Sequence, residues 1–233
     1  EQTVARLAGM RTAADDFRIF WDNAYAVHHL TTVRYEIPDV LQLATAAGHA
    51  DRPFVFGSTS KITFAGSGVA FYGGSKRNVD WLIGHMSKRA IGPDKVNQLR
   101  HARFLKTAAG VHDHMNRHRS LLKPKFDLVQ HVLADQLGDS AVASWTVPDG
   151  GYFVTLNVLD GCANLVVALA AEAGIALTAA GAPFPYGNDP DDRVIRLAPS
   201  YPPLAELAEA LDGLVLCIKL AAVEHLLDAA VRM

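Results

Sequence analysis

The stretch of sequence that decides the fold is Phe54-Val55-Phe56-Gly57-Ser58-Thr59-Ser60-Lys61. Its first three residues form a short apolar run that ends at a glycine, and this pattern predicts a buried β-strand. The residues after the run are small and polar, so a bulky ligand can approach the backbone there. The loop ends at Lys61, whose amine can condense with a carbonyl compound. We therefore expect a chemically active lysine just beyond the end of a buried strand.

Two further apolar runs flank this strand in the sequence. Phe17–Trp21 ends at Asp22, and Val69–Tyr72 ends at a pair of glycines. Helical periodicity predicts helices over residues 3–13, 40–47 and 78–88. Short apolar strands that alternate with helices are typical of an α/β fold with a mostly parallel sheet and helices on both faces. We assign this pattern to a first domain, residues 1–108.

The pattern changes after Pro93. Residues 94–137 have a helical and richly charged pattern, and Pro124 is expected to kink or break this helix because proline lacks a backbone N–H. Strands are predicted over 142–147, 152–158, 175–177 and 194–197, and helices over 165–173 and 202–231. These elements predict a smaller α+β domain over residues 109–233.

The composition argues against several classes of protein. The chain has 233 residues, of which 50% are hydrophobic and 20% charged, and a formal net charge of -2. This is an ordinary globular composition without a general bias towards nucleic acid. Cys162 and Cys217 belong to no CxxC pair, so we predict neither a disulfide framework nor a metal site. Without a predicted membrane span or signal peptide, we expect a cytoplasmic protein that binds no nucleic acid and no membrane.

Four short motifs follow one another along the chain. Asp22-Asn23-Ala24-Tyr25 ends the first strand and Ser58-Thr59-Ser60-Lys61 the second, and Pro148–Phe153 and Arg193–Ala198 come later. In this order they resemble the class I/II aminotransferases, fold-type I enzymes that use pyridoxal 5'-phosphate. The closest likeness is to the actinobacterial aspartate aminotransferase, or MocR-like, branch. It covers essentially the whole chain, which resembles the C-terminal portion of such an enzyme.

The resemblance implies a role for each polar residue of these motifs. Lys61 would hold the cofactor as a Schiff base and later carry a proton at the substrate α-carbon. Asp22 would keep the pyridine nitrogen protonated, and Tyr25 would donate its hydroxyl to the phenolate oxygen of the ring. Arg196 would bind the substrate α-carboxylate through a two-pronged, charge-assisted pair.

The expected phosphate site departs from the pattern of the family. The resemblance implies that the Ser58 and Ser60 hydroxyls bind the cofactor phosphate. Many members also have an arginine eight residues after the lysine, but this chain has Val69 there. We expect the backbone or hydroxyl groups of Gly66 and Ser67 to contribute instead, because small residues can expose N–H groups to an anion.

The implied reaction is the reversible transfer of an amino group from an amino acid to a 2-oxo acid. The preferred pairing is aspartate or glutamate with 2-oxoglutarate, and a homodimer is expected because the family builds its active sites at a two-fold interface. Two alternatives stay open. One is another reaction of the same cofactor, such as β-elimination or decarboxylation. The other is an aminotransferase-like effector domain of a MocR-type transcription regulator, with a DNA-binding winged helix upstream of Glu1.

Several other polar residues have more than one interpretation. His28 and His29 either line the mouth of the pocket or have a structural role. His112, His114 and His118 are interpreted as a solvated helix face, because basic residues crowd the same stretch and a metal site would need other ligands. A contact with the substrate side chain is hypothesised for one residue of the helix that begins near Asp94: Lys95, Asn97, Gln98 or Arg100.

Overall fold

We describe the protein from a computed structural model, which covers residues 1–231 apart from the side chain of Ala229. The chain divides into two compact units. The first consists of Glu1–His28 and Val33–Asn116, and the second of His29–Thr32 and the chain from Arg117 onward. The mixed α/β class predicted from the sequence is confirmed. The domain boundary expected at residue 108 stays a prediction.

Along the sequence of the first unit, three short strands alternate with or are followed by helices. Its elements are α1 (Gln2–Gly9), β1 (Ile19–Asp22), α2 (Val40–Ala46), β2 (Pro53–Ser58), β3 (Ala70–Gly73), α3 (Lys76–Arg89), α4 (Lys95–Leu105) and the start of α5 (Ala108–Leu137). Polar caps begin three of the helices. Asp39, Ser75 and Asp94 accept backbone N–H groups of the first turns of α2, α3 and α4, which satisfies donors that have no partner inside the helix.

The sheet of the first unit has the order β1-β2-β3. β1 and β2 are parallel, with Asp22 opposite Phe56. β3 runs antiparallel to β2, with Ser58 opposite Ala70. The described sheet therefore has one parallel and one antiparallel ladder. The antiparallel ladder has a simple cause, because the short connection between β2 and β3 contains no helix, and parallel strands need a longer crossover.

The helical region after Pro93 is interrupted at a different residue from the one predicted. α4 ends at Leu105, Lys106 has a φ of 61°, and α5 then begins at Ala108. α5 continues without a break through Pro124. The predicted break at Pro124 is therefore wrong, and the alternative of a kink there stays a prediction. Phe126 and Val129, which follow the proline, are buried in an apolar core, and this packing keeps the helix in place despite one missing hydrogen bond.

The second unit packs two long helices and a short one against an antiparallel sheet. Besides the rest of α5 it contains β4 (Ala143–Trp145), β5 (Val154–Val158), α6 (Ala163–Glu172), a short 3-10 turn (Pro185–Gly187), β6 (Val194–Leu197) and α7 (Leu204–Val231). The strand order is β4-β5-β6. Val154, Leu156 and Val158 alternate into the core from β5, as the period of a strand requires. No helix of the described chain is both long and apolar enough to cross a membrane.

The strand predicted over 175–177 is not formed. The segment follows the end of α6, where Gly174 has a φ of 79° and the Ile175 N–H donates to the Ala170 carbonyl. A Cβ added to Gly213 on α7 would lie 2.7 Å from Ile175 Cδ1. The apolar character of these residues therefore reflects packing of an irregular segment against α7, which a short hydrophobic run does not distinguish from a strand.

Candidate active site

The predicted cofactor residues of the first unit lie at one edge of its sheet. Asp22 is the last residue of β1, and Ser58 is the last residue of β2. Because these strands are parallel, their carboxyl ends point the same way, and the Asn23 N–H donates to the Phe56 carbonyl 2.8 Å away. Ligands of open α/β sheets bind beyond such carboxyl ends. Asp22 and the Ser58–Lys61 loop therefore share the edge at which a ligand is expected.

The turn after β1 presents Tyr25 next to Asp22. The Ala24 N–H donates to the Asp22 carboxylate at 3.1 Å, and the His28 N–H donates to the Tyr25 carbonyl at 3.1 Å. The Tyr25 ring lies edge-on to the His28 ring, with centroids 5.2 Å apart. His28 itself is buried. Local hydrogen bonds thus hold the Asp22–Tyr25 motif in a compact turn.

The two serines before Lys61 form a linked pair of hydroxyls. Ser58 Oγ donates to Ser60 Oγ at 2.9 Å, and the Ser60 N–H donates to Ser58 Oγ at 3.0 Å. The chain folds back over this pair at Gly68. A Cβ at that position would lie 2.7 Å from the Ser60 nitrogen and would clash with Ser60 Oγ. Only glycine allows this approach, which packs the backbone at residue 68 directly against Ser60.

Val69 extends the ladder between β2 and β3. The Thr59 N–H donates to the Val69 carbonyl at 2.9 Å, and the Val69 N–H donates to Thr59 Oγ1 at 2.7 Å. The Ser67 N–H donates to the Phe64 carbonyl at 3.2 Å. The backbone N–H groups of Ser67 and Val69 are thus already used. Of the phosphate donors expected at Ser67, the hydroxyl is the one left available.

Asn97 lies on α4 and contacts the loop between β2 and β3, residues 59–69, which is called the lysine loop below. Its Nδ2 donates to the Ser67 carbonyl at 2.9 Å and to the Gly68 carbonyl at 3.3 Å. Asn97 Oδ1 is buried and accepts no hydrogen bond from residues 1–231. The structure therefore gives Asn97 a supporting contact with the lysine loop. The sequence suggested only a substrate contact for this helix, and that hypothesis stays a prediction.

Three histidines contact the turn that begins at Lys61. His28 Nε2 lies 3.1 Å from the Lys61 carbonyl, and His114 Nε2 lies 2.8 Å from the Ile62 carbonyl. His101 Nε2 lies 2.9 Å from Thr63 Oγ1. The interpretation of His114 as part of a solvated face is wrong, because the ring is half-buried and packs edge-on against Phe104. Sequence reasoning missed His101, for which the pattern gave no signal.

Arg196 belongs to the second unit, whereas the other five predicted site residues belong to the first. It lies on β6, opposite Thr155 on β5. Its guanidinium carbon is 4.6 Å from the centroid of the Phe153 ring, and its Nε is buried without a hydrogen-bond partner among the described residues. A buried N–H that lacks an acceptor is costly. This arginine is thus equipped to bind an anion such as a carboxylate.

A cavity of about 470 Å³ lies next to Arg196 in the second unit. Its walls are largely apolar and include Leu197, Pro199, Tyr201 and the segment 174–178. The charged residues of its lining are Arg196 and Glu206, and a few polar groups in a largely apolar cavity fix the orientation of a small ligand.

Asp189 anchors the start of the strand that carries Arg196. Its carboxylate accepts N–H groups of Asp191, Arg193 and Val194 at 3.2, 2.9 and 2.8 Å. Burial raises the pKa of Asp189, but these backbone donors and the charge of Arg193 together bring it below its ordinary value. The ionised carboxylate therefore stabilises the local fold before β6.

Comparisons with known proteins cover almost the whole chain. A family model described as aspartate amino-transferase matches residues 1–230. The chain belongs to the aspartate aminotransferase family. A protein of Mycolicibacterium smegmatis, named provisionally as an aminotransferase, is 58% identical over 224 residues, which are 96% of this chain and 52% of that protein. An aspartate aminotransferase of Corynebacterium glutamicum is 51% identical over 225 residues, 97% of this chain and 52% of its own length.

Solved structures of the aspartate aminotransferase family support the fold. The crystal structure of an aspartate transaminase from Corynebacterium glutamicum superposes with a TM-score of 0.94 at 51% identity, covering 97% of this chain and 53% of that one. This chain therefore spans about half the length of the curated relatives it matches.

The family implies pyridoxal 5'-phosphate as cofactor, and the residues of the first unit fit that group. A carboxylate, a lysine and a pair of hydroxyls lie at one strand edge, and these suit a pyridinium nitrogen, an aldehyde and a phosphate respectively.

Proposed function

We propose that the protein is a pyridoxal 5'-phosphate-dependent aminotransferase in which Lys61 forms the covalent link to the cofactor. The observation that carries the proposal is the shared strand edge of Asp22 and the Ser58–Lys61 loop. Membership of the aspartate aminotransferase family supports it. The proposed reaction moves an amino group between an amino acid and a 2-oxo acid, and the named relative from Corynebacterium glutamicum favours aspartate or glutamate with 2-oxoglutarate.

Each residue of the first unit has a defined task in this proposal. When bound, pyridoxal phosphate supplies an aldehyde that condenses with amines and a pyridinium ring that accepts electrons from the substrate α-carbon. The Asp22 carboxylate holds a proton on the ring nitrogen, and Tyr25 donates its hydroxyl to the ring oxygen. The Lys61 amine would form the link to the aldehyde and would carry the proton that leaves the substrate α-carbon.

The phosphate is held without the arginine that is common in related enzymes. Ser58 and Ser60 would turn the hydroxyls that they now share in one hydrogen bond towards the phosphate. Val69 stands at the arginine position and pairs with Thr59 through its backbone. We therefore expect weaker charge compensation at the phosphate than a guanidinium would give.

Arg196 binds the substrate α-carboxylate in the proposed enzyme. Its guanidinium stacks on Phe153, and its buried Nε has no partner among the residues described. A carboxylate would satisfy that N–H and a terminal N–H together, in a planar two-pronged pair.

The first experiment tests the covalent link. The full-length protein is incubated with cofactor, reduced with borohydride, digested and analysed by mass spectrometry. A mass increase on the peptide that contains Lys61 is expected, and Lys61→Ala should abolish it. Lys76→Ala, which removes an exposed lysine of the same unit, is the control and should keep the adduct. An adduct of normal yield in Lys61→Ala, or none in the wild-type protein, would contradict the proposal.

The second experiment separates the alternative functions. Aspartate, glutamate, an aromatic amino acid and a β-substituted amino acid are each tested with 2-oxoglutarate. Glutamate formation from aspartate supports the proposed pairing, whereas turnover of the aromatic donor alone would replace it. Keto-acid and ammonia release without an acceptor would indicate a lyase. A transcription regulator would bind the cofactor without turnover of any of these substrates. The family match over residues 1–230 does not favour this alternative.

We further propose a cytoplasmic homodimer with amino acid and 2-oxo acid substrates. Cys162 and Cys217 are free and buried, as expected for a protein of a reducing compartment. The dimer follows from the family resemblance, and light scattering of the full-length protein tests it. A mass of one chain at micromolar concentration would contradict it.

A further inference from the structure

The turn that begins at Lys61 is fastened at three consecutive residues by three imidazole rings. His28 contacts the Lys61 carbonyl, His114 the Ile62 carbonyl and His101 the Thr63 hydroxyl, at 3.1, 2.8 and 2.9 Å. The rings come from three places in the first unit: the turn after β1, helix α5 and helix α4. Elements distant in sequence thus converge on one tripeptide.

The chemistry of the contacts fixes how two of the rings must be protonated. A carbonyl oxygen only accepts hydrogen bonds, so His28 and His114 must each donate from Nε2. Both rings therefore carry a proton on that nitrogen. Ile62 is buried, and removal of the His114 donor would leave its carbonyl without this partner.

His101 adds a third contact and connects it to the rest of the loop. His101 Nδ1 lies 2.9 Å from the Asn97 carbonyl, so Nδ1 donates and Nε2 of a neutral ring accepts the Thr63 hydroxyl proton. The Thr59 carbonyl, 3.1 Å from the same hydroxyl, competes for this proton. Through Asn97, α4 also holds the Ser67 and Gly68 carbonyls. One helix therefore supports both ends of the lysine loop.

Lys61 itself is exposed, whereas the backbone on its C-terminal side is held. A lysine side chain has a flexible four-carbon stem. The direction in which the stem leaves the chain is set by the Cα–Cβ bond, and hence by the backbone torsions at Lys61 and Ile62. Hydrogen bonds to the two successive carbonyls restrict these torsions. A displacement of about 1 Å in a reacting group can cost about a hundredfold in rate.

We propose that His28, His101 and His114 are positioning residues that aim the Lys61 amine by fixing the backbone of residues 61–63. The kinetic part of this proposal rests on the proposed role of Lys61. The histidines act through the turn and contact neither substrate nor cofactor. They therefore govern the steps in which the lysine amine transfers a proton, while the binding of the substrates depends on other residues.

The test uses His114→Phe in the full-length holoenzyme, because phenylalanine keeps a ring against Phe104 and removes the N–H donor. We expect kcat to fall about tenfold with both KM values within about twofold of wild type. His114→Gln, whose amide can reach the same carbonyl, should restore most of kcat. The control is His85→Phe, which removes an exposed ring packed on Trp81 of α3 and should change neither parameter.

A second readout does not depend on the cofactor. Hydrogen exchange of the peptide spanning residues 59–69 is measured in the cofactor-free full-length protein. We expect faster exchange in His114→Phe and His28→Phe, and wild-type exchange in His85→Phe. Unchanged exchange in the first two variants would overturn the proposal, and so would an unchanged kcat. So would a glutamine variant that is as slow as the phenylalanine variant.

A double-mutant cycle keeps the proposal testable if His114→Phe does not fold. His101→Phe and Thr63→Val are combined, and the logarithm of kcat is compared with the sum of the single effects. A coupling of at least about threefold is expected, because the two side chains share one hydrogen bond. Strict additivity would overturn the role of His101. A wild-type protein without a borohydride adduct on Lys61 contradicts the proposed function, whereas unchanged exchange contradicts the histidine proposal, so the two failures are distinguishable.

Discussion

The two units are stabilised in different ways. The second has a continuous apolar core, in which Leu133 and Leu156 are fully buried between helices and sheet. The first has few buried apolar side chains, and Phe20 on its sheet is 70% exposed. Its site-forming feature is polar: the Lys61 turn, held by backbone and imidazole hydrogen bonds. Hydrophobic burial thus stabilises the second unit, whereas in the first unit hydrogen bonds orient a reactive group.

The largest expected effect tests the two sides of this comparison directly. Leu156→Ala should lower the free energy of unfolding by about 2–5 kcal/mol, because it leaves a cavity in the second core. Phe20→Ala in the first unit should cost less than about 1 kcal/mol, because the ring is largely exposed. Urea unfolding of the 233-residue chain measures both. Equal losses would show that the first unit also depends on hydrophobic burial.

The next effect asks whether the second unit also contributes to binding. Arg196→Lys should raise KM about 10- to 100-fold for amino and oxo acids alike, since a charge-assisted pair is worth about 1.5–3 kcal/mol. Steady-state kinetics of the full-length enzyme measure it. Arg193→Lys on the same segment, where the guanidinium pairs with Asp160 near the surface, is the control and should leave KM unchanged. An unaltered KM in Arg196→Lys would remove that residue from the site.

A smaller effect depends on pH. Asp189→Asn should destabilise the protein by about 1 kcal/mol at pH 7, because a charged acceptor of backbone N–H groups is lost. The pKa of Asp189 is lowered in the folded state. Its contribution is therefore complete above the unfolded value of about 4 and disappears as the pH falls through the folded pKa. Thermal unfolding of both proteins between pH 3 and 7 should show the difference closing at the acidic end, and a constant difference would refute the role of charge.

The smallest effect should be the same in both units. Lys76 pairs with Asp80 on α3 and Lys123 with Asp127 on α5, in each case one helical turn apart and exposed. Replacement of either lysine by alanine should change the free energy of unfolding by at most about 0.5 kcal/mol. Chemical unfolding in low and high salt checks this. A loss above about 1 kcal/mol in either unit would mean that surface charge contributes to the contrast between them.

The sequence predicted the features that local pattern determines. β2 occurs where the apolar run indicated but continues through Gly57 and Ser58, which were predicted to lie in the loop. Asp22 ends β1 as expected. The α5 helix is continuous at Pro124 because burial of the residues that follow outweighs one lost hydrogen bond. The run at 175–177 is apolar because it packs against α7, and so short a run does not distinguish an irregular packed segment from a strand.

The supports of the site depend on long-range contacts, which single-residue patterns do not reveal. His114 lies 52 residues from the carbonyl that it contacts, and His101 lies 38 residues from Thr63. Both are histidines on helices with charged neighbours, as a solvated face would have. The turn at Lys106 likewise shows no glycine that would have indicated a positive φ. A tertiary contact decides the positions of His101 and His114.

Two glycines of the lysine loop differ in what a selection experiment would return. Gly66 has a φ of 77° and nothing within 4 Å of an added Cβ, whereas Gly68 faces Ser60 at its backbone nitrogen. A library randomised at residue 66 should therefore yield asparagine and aspartate besides glycine, because these residues tolerate the left-handed region. A library at residue 68 should yield glycine alone. Substitution at residue 66 is thus limited by backbone conformation, and substitution at residue 68 by the volume of the side chain.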